Sequence, residues 1–126
     1  MDEFDIIDLV YRHVEDAGTG FDISKDRSET DMKENHIVIN HLEFQEFDYE
    51  NVLPVNVNIF VKLHKNGMPN RELMRDAKRK VRAELMKIKT ENGQYRNSEI
   101  EGSLRLIGAK ENFDCINIKV IIKTDK

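Results

Sequence analysis

Nine consecutive residues, Val55 to Leu63, read VNVNIFVKL, and their alternation constrains the fold more than any other stretch of the chain. Val55, Val57, Ile59, Val61 and Leu63 fall on one side of an extended backbone, and Asn56, Asn58, Phe60 and Lys62 on the other. A strand with one wholly aliphatic side must bury it against a second layer. What supplies that layer is legible on either side of it.

Asp2 to Ala17 has helical spacing, with Phe4, Ile7, Val10, Tyr11, Val14 and Ala17 on one side and Asp5, Asp8, Arg12 and Asp16 opposite. Its early acids suit the positive end of a helix dipole, and Gly18 can end it with a left-handed residue. A second helix is expected after the Asn66-Gly67 turn and Pro69. Asn70 caps it, and Leu73, Met74, Ala77, Val81, Leu85 and Ile88 form its apolar stripe to about Lys89. Glu84 falls inside the stripe, where pairing with Lys80 one turn earlier relieves it.

Three more strands are expected. His36 to Phe47 carries Ile37 and Ile39 on one face and Leu42 and Phe44 on the other, a phase change that suggests a bulge near His41. Ile100–Ala109 and Phe113–Lys123, joined at Lys110-Glu111-Asn112, read as a hairpin. Ser24 to Asn35 holds one apolar residue, Met32, and reads as a mobile polar loop, and Thr90 to Glu99 reads as another. The expectation is one α+β domain over residues 1–126, in the order α-β-β-α-β-β, with an antiparallel four-stranded sheet and both helices packed on one face.

Composition bears on function through charge. The chain of 126 residues has a formal net charge of -4 and 35% charged residues. The charge is unevenly placed: residues 1–50 hold 15 acids and 4 bases, whereas residues 51–126 hold 9 acids and 16 bases. A fold that keeps these parts separate is a dipole. The lone cysteine, Cys115, excludes an intrachain disulfide and a multi-cysteine zinc site. No apolar run approaches the roughly 18 residues of a membrane span, and no leader is visible. A chain made and kept in the cytoplasm, or in something assembled there, with no membrane partner, is expected.

Catalytic chemistry finds little support. His36 and His41 point to opposite faces of a strand, and His41 with Glu43 supplies only two ligands where zinc needs three or four. A metal or hydrolytic site would have to gather His41, Glu43 or His64. No GxSxG, GxxxxGK[ST] or GxGxxG occurs. Neither an enzyme nor a cofactor is expected.

Two contact surfaces remain. Phe60 stands on the side of its strand away from the valines, and Ile107 and Ile121 pose the same question on later strands, so these three are candidate subunit contacts. Arg71, Arg75, Lys78, Arg79 and Arg82 give the second helix a basic face that could track phosphates. A solvated helix face is the plainer reading, and the chain's net acidity disfavours nucleic acid.

The layout resembles the phage tail terminator and tail-completion family, small neck proteins that join tail to head. The resemblance runs over the helix Asp2 to Ala17, the polar loop, HIVINHLEF, VNVNIFVKL, NRELMRDAKRKVRAELMKI and FDCINIKVIIK. It implies a ring of α+β subunits that docks to other neck or tail proteins and has no catalytic residues. The expected function is non-enzymatic assembly of a phage or phage-like particle by ring-type self-association. The alternative is a small nucleic-acid-binding or regulatory module using the basic helix 70–89.

Overall fold

A computed structural model describes residues 1–28 and 31–126. In chain order the elements are α1 (Glu3–Asp16), β1 (Asp22–Lys25), β2 (His36–His41), β3 (Gln45–Glu46), β4 (Glu50–Lys62), α2 (Arg71–Leu85), β5 (Lys89–Glu91), β6 (Gln94–Lys110) and β7 (Phe113–Asp125). The strands make one seven-stranded sheet in the order β1-β2-β4-β7-β6-β5, with β3 also beside β4. β1 runs parallel to β2, and the other pairs are antiparallel.

The chain is thus α+β with two helices, but its sheet is seven-stranded and mixed. The expected four-stranded antiparallel sheet and its α-β-β-α-β-β order are incorrect. The extra strands are short and polar, so periodicity does not reveal them. β1 carries one apolar residue, Ile23, and β5 none. Asn92 (φ 50°) and Gly93 (φ 75°) turn the chain between β5 and β6 inside the stretch expected to be loop. An Asn-Gly pair is the usual sequence of such a turn, because both central residues need positive φ.

The central strand behaves as its alternation requires. Leu53, Val55, Val57, Ile59 and Val61 are buried on one side of β4. They join Ile37 and Ile39 of β2, Ile118, Val120 and Ile122 of β7, and the inner sides of both helices in one core. Both helices therefore cover the same face of the sheet. The inner side of α1 is rotated from the expected stripe: Ile6 and Leu9 are buried, whereas Phe4 is 71% exposed. Asp2 and Asp5 close a reciprocal capping box at the start of α1, each carboxylate accepting the other's backbone N–H at 3.0 Å. Asn70 Oδ1 caps α2 by accepting the Leu73 N–H at 3.3 Å.

Between the pairs His41↔Val55 and Gln45↔Val52, the chain side holds one residue more than β4 does. That extra residue is a bulge, and it returns Phe44 to the core. Pro54 lies opposite this break, where β2 has ended and β3 has not begun, so its missing N–H removes no ladder bond there.

The segment expected as a mobile loop at 24–35 joins the sheet at both of its ends. Ser24 and Lys25 belong to β1. The Asp26 N–H donates to the Ile39 carbonyl at 2.7 Å, and Asn35 Oδ1 accepts the Lys62 N–H at 2.8 Å. Positions 29 and 30 of that loop lie outside the described residues.

Candidate functional site

The face of the sheet away from the helices carries an aromatic and amide strip. At one end His36 of β2 is fully buried and stacks on Phe60 of β4, with ring centroids 4.7 Å apart, and meets Phe113 of β7 edge-on at 5.1 Å. Its Nδ1–H donates to the Glu34 carbonyl at 2.8 Å, which leaves Nε2 to accept from Lys110 Nζ at 3.2 Å. The ammonium also lies 5.6 Å from the Phe60 ring and 5.2 Å from the Phe113 ring. Burial, assisted by Lys110, pushes the His36 pKa below its ordinary value, although the Glu34 carbonyl and Asp22 oppose the shift. Lys110 therefore reaches from the β6–β7 tip across to β2 and pins that end of the sheet.

In the middle, Asn117 Nδ2 donates to Asn58 Oδ1 at 2.9 Å and to Asn56 Oδ1 at 3.2 Å. Asn58 passes a bond on to the Val38 carbonyl at 3.3 Å. These amides satisfy one another and hold β2, β4 and β7 in register.

The three residues expected as subunit contacts do not form one patch. Phe60 is half-buried beneath His36 and Lys110, opposite Cys115. Ile121 is half-buried opposite Pro54, about 20 Å farther along β4. Ile107 is 80% exposed beyond Leu106, where the β6 register shifts. Leu104, 61% exposed opposite Asn117, is an apolar residue of β6 that the sequence did not single out. β5 pairs with β6 only as far as Asn97, so among the described residues the outer edge of β6 from Ser98 onward has no partner strand.

The five cations expected as a basic face lie along α2. Arg71, Arg75, Arg79 and Arg82 are exposed and Lys78 is half-buried, and none of the five takes part in an ion pair among the described residues. α2 lies over β4 and β7, which leaves β6 projecting past it. The gap is a cleft of about 420 Å³ lined by Arg71, Glu72, Met74, Arg75 and Lys78 of α2, Arg105 of β6 and Ile116 of β7. Arg105 donates to the buried carboxylate of Asp114 at 3.2 Å, while its Nε has no partner.

A second feature, missed from the sequence, is the tip of the β3–β4 hairpin. The Phe47 N–H donates to the Glu50 carbonyl at 2.9 Å and fixes the turn. Phe47 is 52% and Tyr49 90% exposed on it. Between Leu42 and Asn51 stand four acids, Glu43, Glu46, Asp48 and Glu50, and no base. Strand-like composition concealed this tip, because both its aromatics read equally well as core residues.

The two charged parts of the chain leave each other almost untouched. Among the described residues no Lys or Arg after Glu50 forms an ion pair with an acid before Asn51. Across the divide His13 Nδ1 of α1 meets Glu84 Oε1 of α2 at 3.3 Å. Glu84 also accepts from Lys87 Nζ at 3.0 Å, and Lys80 pairs with Asp76 instead of with Glu84. Lys87 first, and His13 with it, lower the Glu84 pKa against the opposing effect of burial.

Burial, with Asp114 beside it, raises the Cys115 thiol to about 11, so it stays protonated and unreactive near neutral pH. His41 bonds through Nδ1 to the Leu42 carbonyl, and among the described residues no three His, Cys, Asp or Glu side chains stand together as a metal would require. No helix of the described residues is long and apolar enough to cross a membrane. Neither models of known families nor curated proteins match the sequence.

Proposed function

We propose that the protein is a non-enzymatic assembly component of a phage or phage-like particle, acting in tail completion or head-tail joining through ring-type self-association. The observation that carries this reading is the uncompensated charge. Among the described residues, an acidic part and a basic part of one small domain fold together with no ion pair between them other than His13 with Glu84. Opposite charges left free on one subunit favour a neighbour placed head to tail, which closes into a ring when the rotation permits. Other neck or tail proteins would meet the remaining surface, and the cytoplasm of a bacterial host or the virion is where such a particle is built.

The test is native mass spectrometry with light scattering at low and high salt. An oligomer that dissociates as salt rises is expected, because exposed charge pairs are screened within about 10 Å at 0.1 M salt. A strict monomer at high protein concentration and low salt contradicts it.

The basic cleft favours a second reading, a nucleic-acid-binding or regulatory module using the helix 70–89. It predicts salt-sensitive retention of DNA or RNA that is lost when Arg75, Arg79 and Arg82 are neutralised. Absence of binding at low salt removes it.

A further inference from the structure

We infer that the β3–β4 hairpin tip of one subunit docks into the cleft between α2 and β6 of a second copy of this chain. The inference rests on the self-association proposed above and assigns its interface.

Both halves are built for contact. The tip presents Phe47 and Tyr49 to solvent on a turn fixed by its own backbone bond, flanked by Glu46 and Asp48. Holding large apolar side chains in water is unfavourable, and a fixed turn loses little freedom on docking. The cleft offers the inverse surface: apolar Met74 and Ile116, and four cations against one acid, Glu72, with Arg105 already paired to Asp114 and Arg71, Arg75 and Lys78 without an ion pair among the described residues. Its volume of about 420 Å³ accommodates an aromatic side chain, which buries roughly 150–250 Å² when enclosed. Arginine beside an aromatic ring gains both stacking and cation-π attraction, and the carboxylates of Glu46 and Asp48 complement Arg71, Arg75 and Lys78.

The tip cannot fill its own subunit's cleft. It lies at the Glu50 end of β4, whereas Ile116 pairs with Ile59, about 30 Å along the same strand. The fit is therefore between copies, and because tip and cleft are different surfaces it is heterologous. Each subunit uses its tip on one neighbour and its cleft on the other.

A heterologous contact has a signature that an isologous one lacks. Two variants are made: R75E/K78E, with an impaired cleft and an intact tip, and F47S/Y49S, with the converse. Alone, each should associate at least about tenfold more weakly than wild type. Mixed one to one, they retain a single good interface between them and should form a two-chain species that grows no larger. Thermal melts confirm that the variants fold, and R75Q/K78Q replaces R75E/K78E if the reversal unfolds the chain.

If wild type assembles but the folded variants assemble equally well, or if their mixture fails to form the two-chain species, the tip-in-cleft contact is wrong while self-association stands. If wild type is monomeric, both ideas fall. If R75E/K78E keeps the oligomer intact but no longer retains a short DNA duplex that wild type retains, the cleft belongs to nucleic acid and the assignment is overturned.

Discussion

α1 and α2 are nearly the same helix on the inside and opposites on the outside. Each spends its inner face on aliphatic residues over the same sheet: Ile6, Leu9, Val10 and Val14 from one, and Met74, Ala77, Val81 and Leu85 from the other. Outside, α1 shows Glu3, Asp5, Asp8, Glu15 and Asp16, and α2 shows Arg71, Arg75, Arg79 and Arg82. The core therefore sets the helices but not their charge. Nor do the charges largely serve the fold by pairing across the two helices, since among the described residues His13 and Glu84 alone meet. Asp5 caps α1 and Asp8 pairs with Lys25, and the remaining outer charge is available for a partner.

The largest effects should come from the inner sides, where the helices are alike. Ile6→Ala in α1 and Leu85→Ala in α2 each remove a fully buried side chain. Each should cost about 2–5 kcal/mol in urea unfolding. A loss well below that range for only one of them would show that its helix is peripheral and break the likeness.

A smaller loss belongs to the contact that joins the helices. Glu84→Gln removes a carboxylate held by Lys87 and His13 and should cost about 1–2 kcal/mol near neutral pH. The sign of its pH dependence follows from a lowered folded-state pKa. Stabilisation by Glu84 is complete above the ordinary value of 4.5 and is lost as pH falls below that value toward the lowered one. Wild type should therefore lose more stability than E84Q on acidification through this window, and parallel curves would contradict the assignment.

Next comes the α2 cap. Asn70→Ala leaves the Leu73 N–H without its acceptor and should cost about 1 kcal/mol. The smallest effect on folding sharpens the contrast most: R79A and R82A should each change monomer stability by less than about 0.5 kcal/mol, because neither is ion-paired among the described residues. A large loss of stability would mean that this outer face serves the fold after all.

How legible these regions were depended on the length of the pattern. β4 and the inner side of α2 could be read because apolar alternation or helical spacing persists through them. β1, β3 and β5 could not, since strands of two to four residues show no period; they persist through backbone bonds to longer neighbours. The stretch Thr90 to Glu99 reads as loop although Asn92-Gly93 turns β5 into β6 there, whereas the bulge near His41 is visible as a change of phase. The basic face of α2 was plain from composition, but the cleft beside it was not, because Arg105 and Ile116 reach it from the far side of the sheet order. The acidic tip stayed hidden because exposure of Phe47 and Tyr49 depends on where the hairpin ends.

The central claim is that the charge left unpaired within one subunit is paired between subunits. Sedimentation of the wild-type chain across a salt series measures this most directly. The association constant should fall steadily as salt rises, with an oligomer at low salt and monomer at high salt. A monomer at every salt concentration, or an oligomer indifferent to salt, would contradict it.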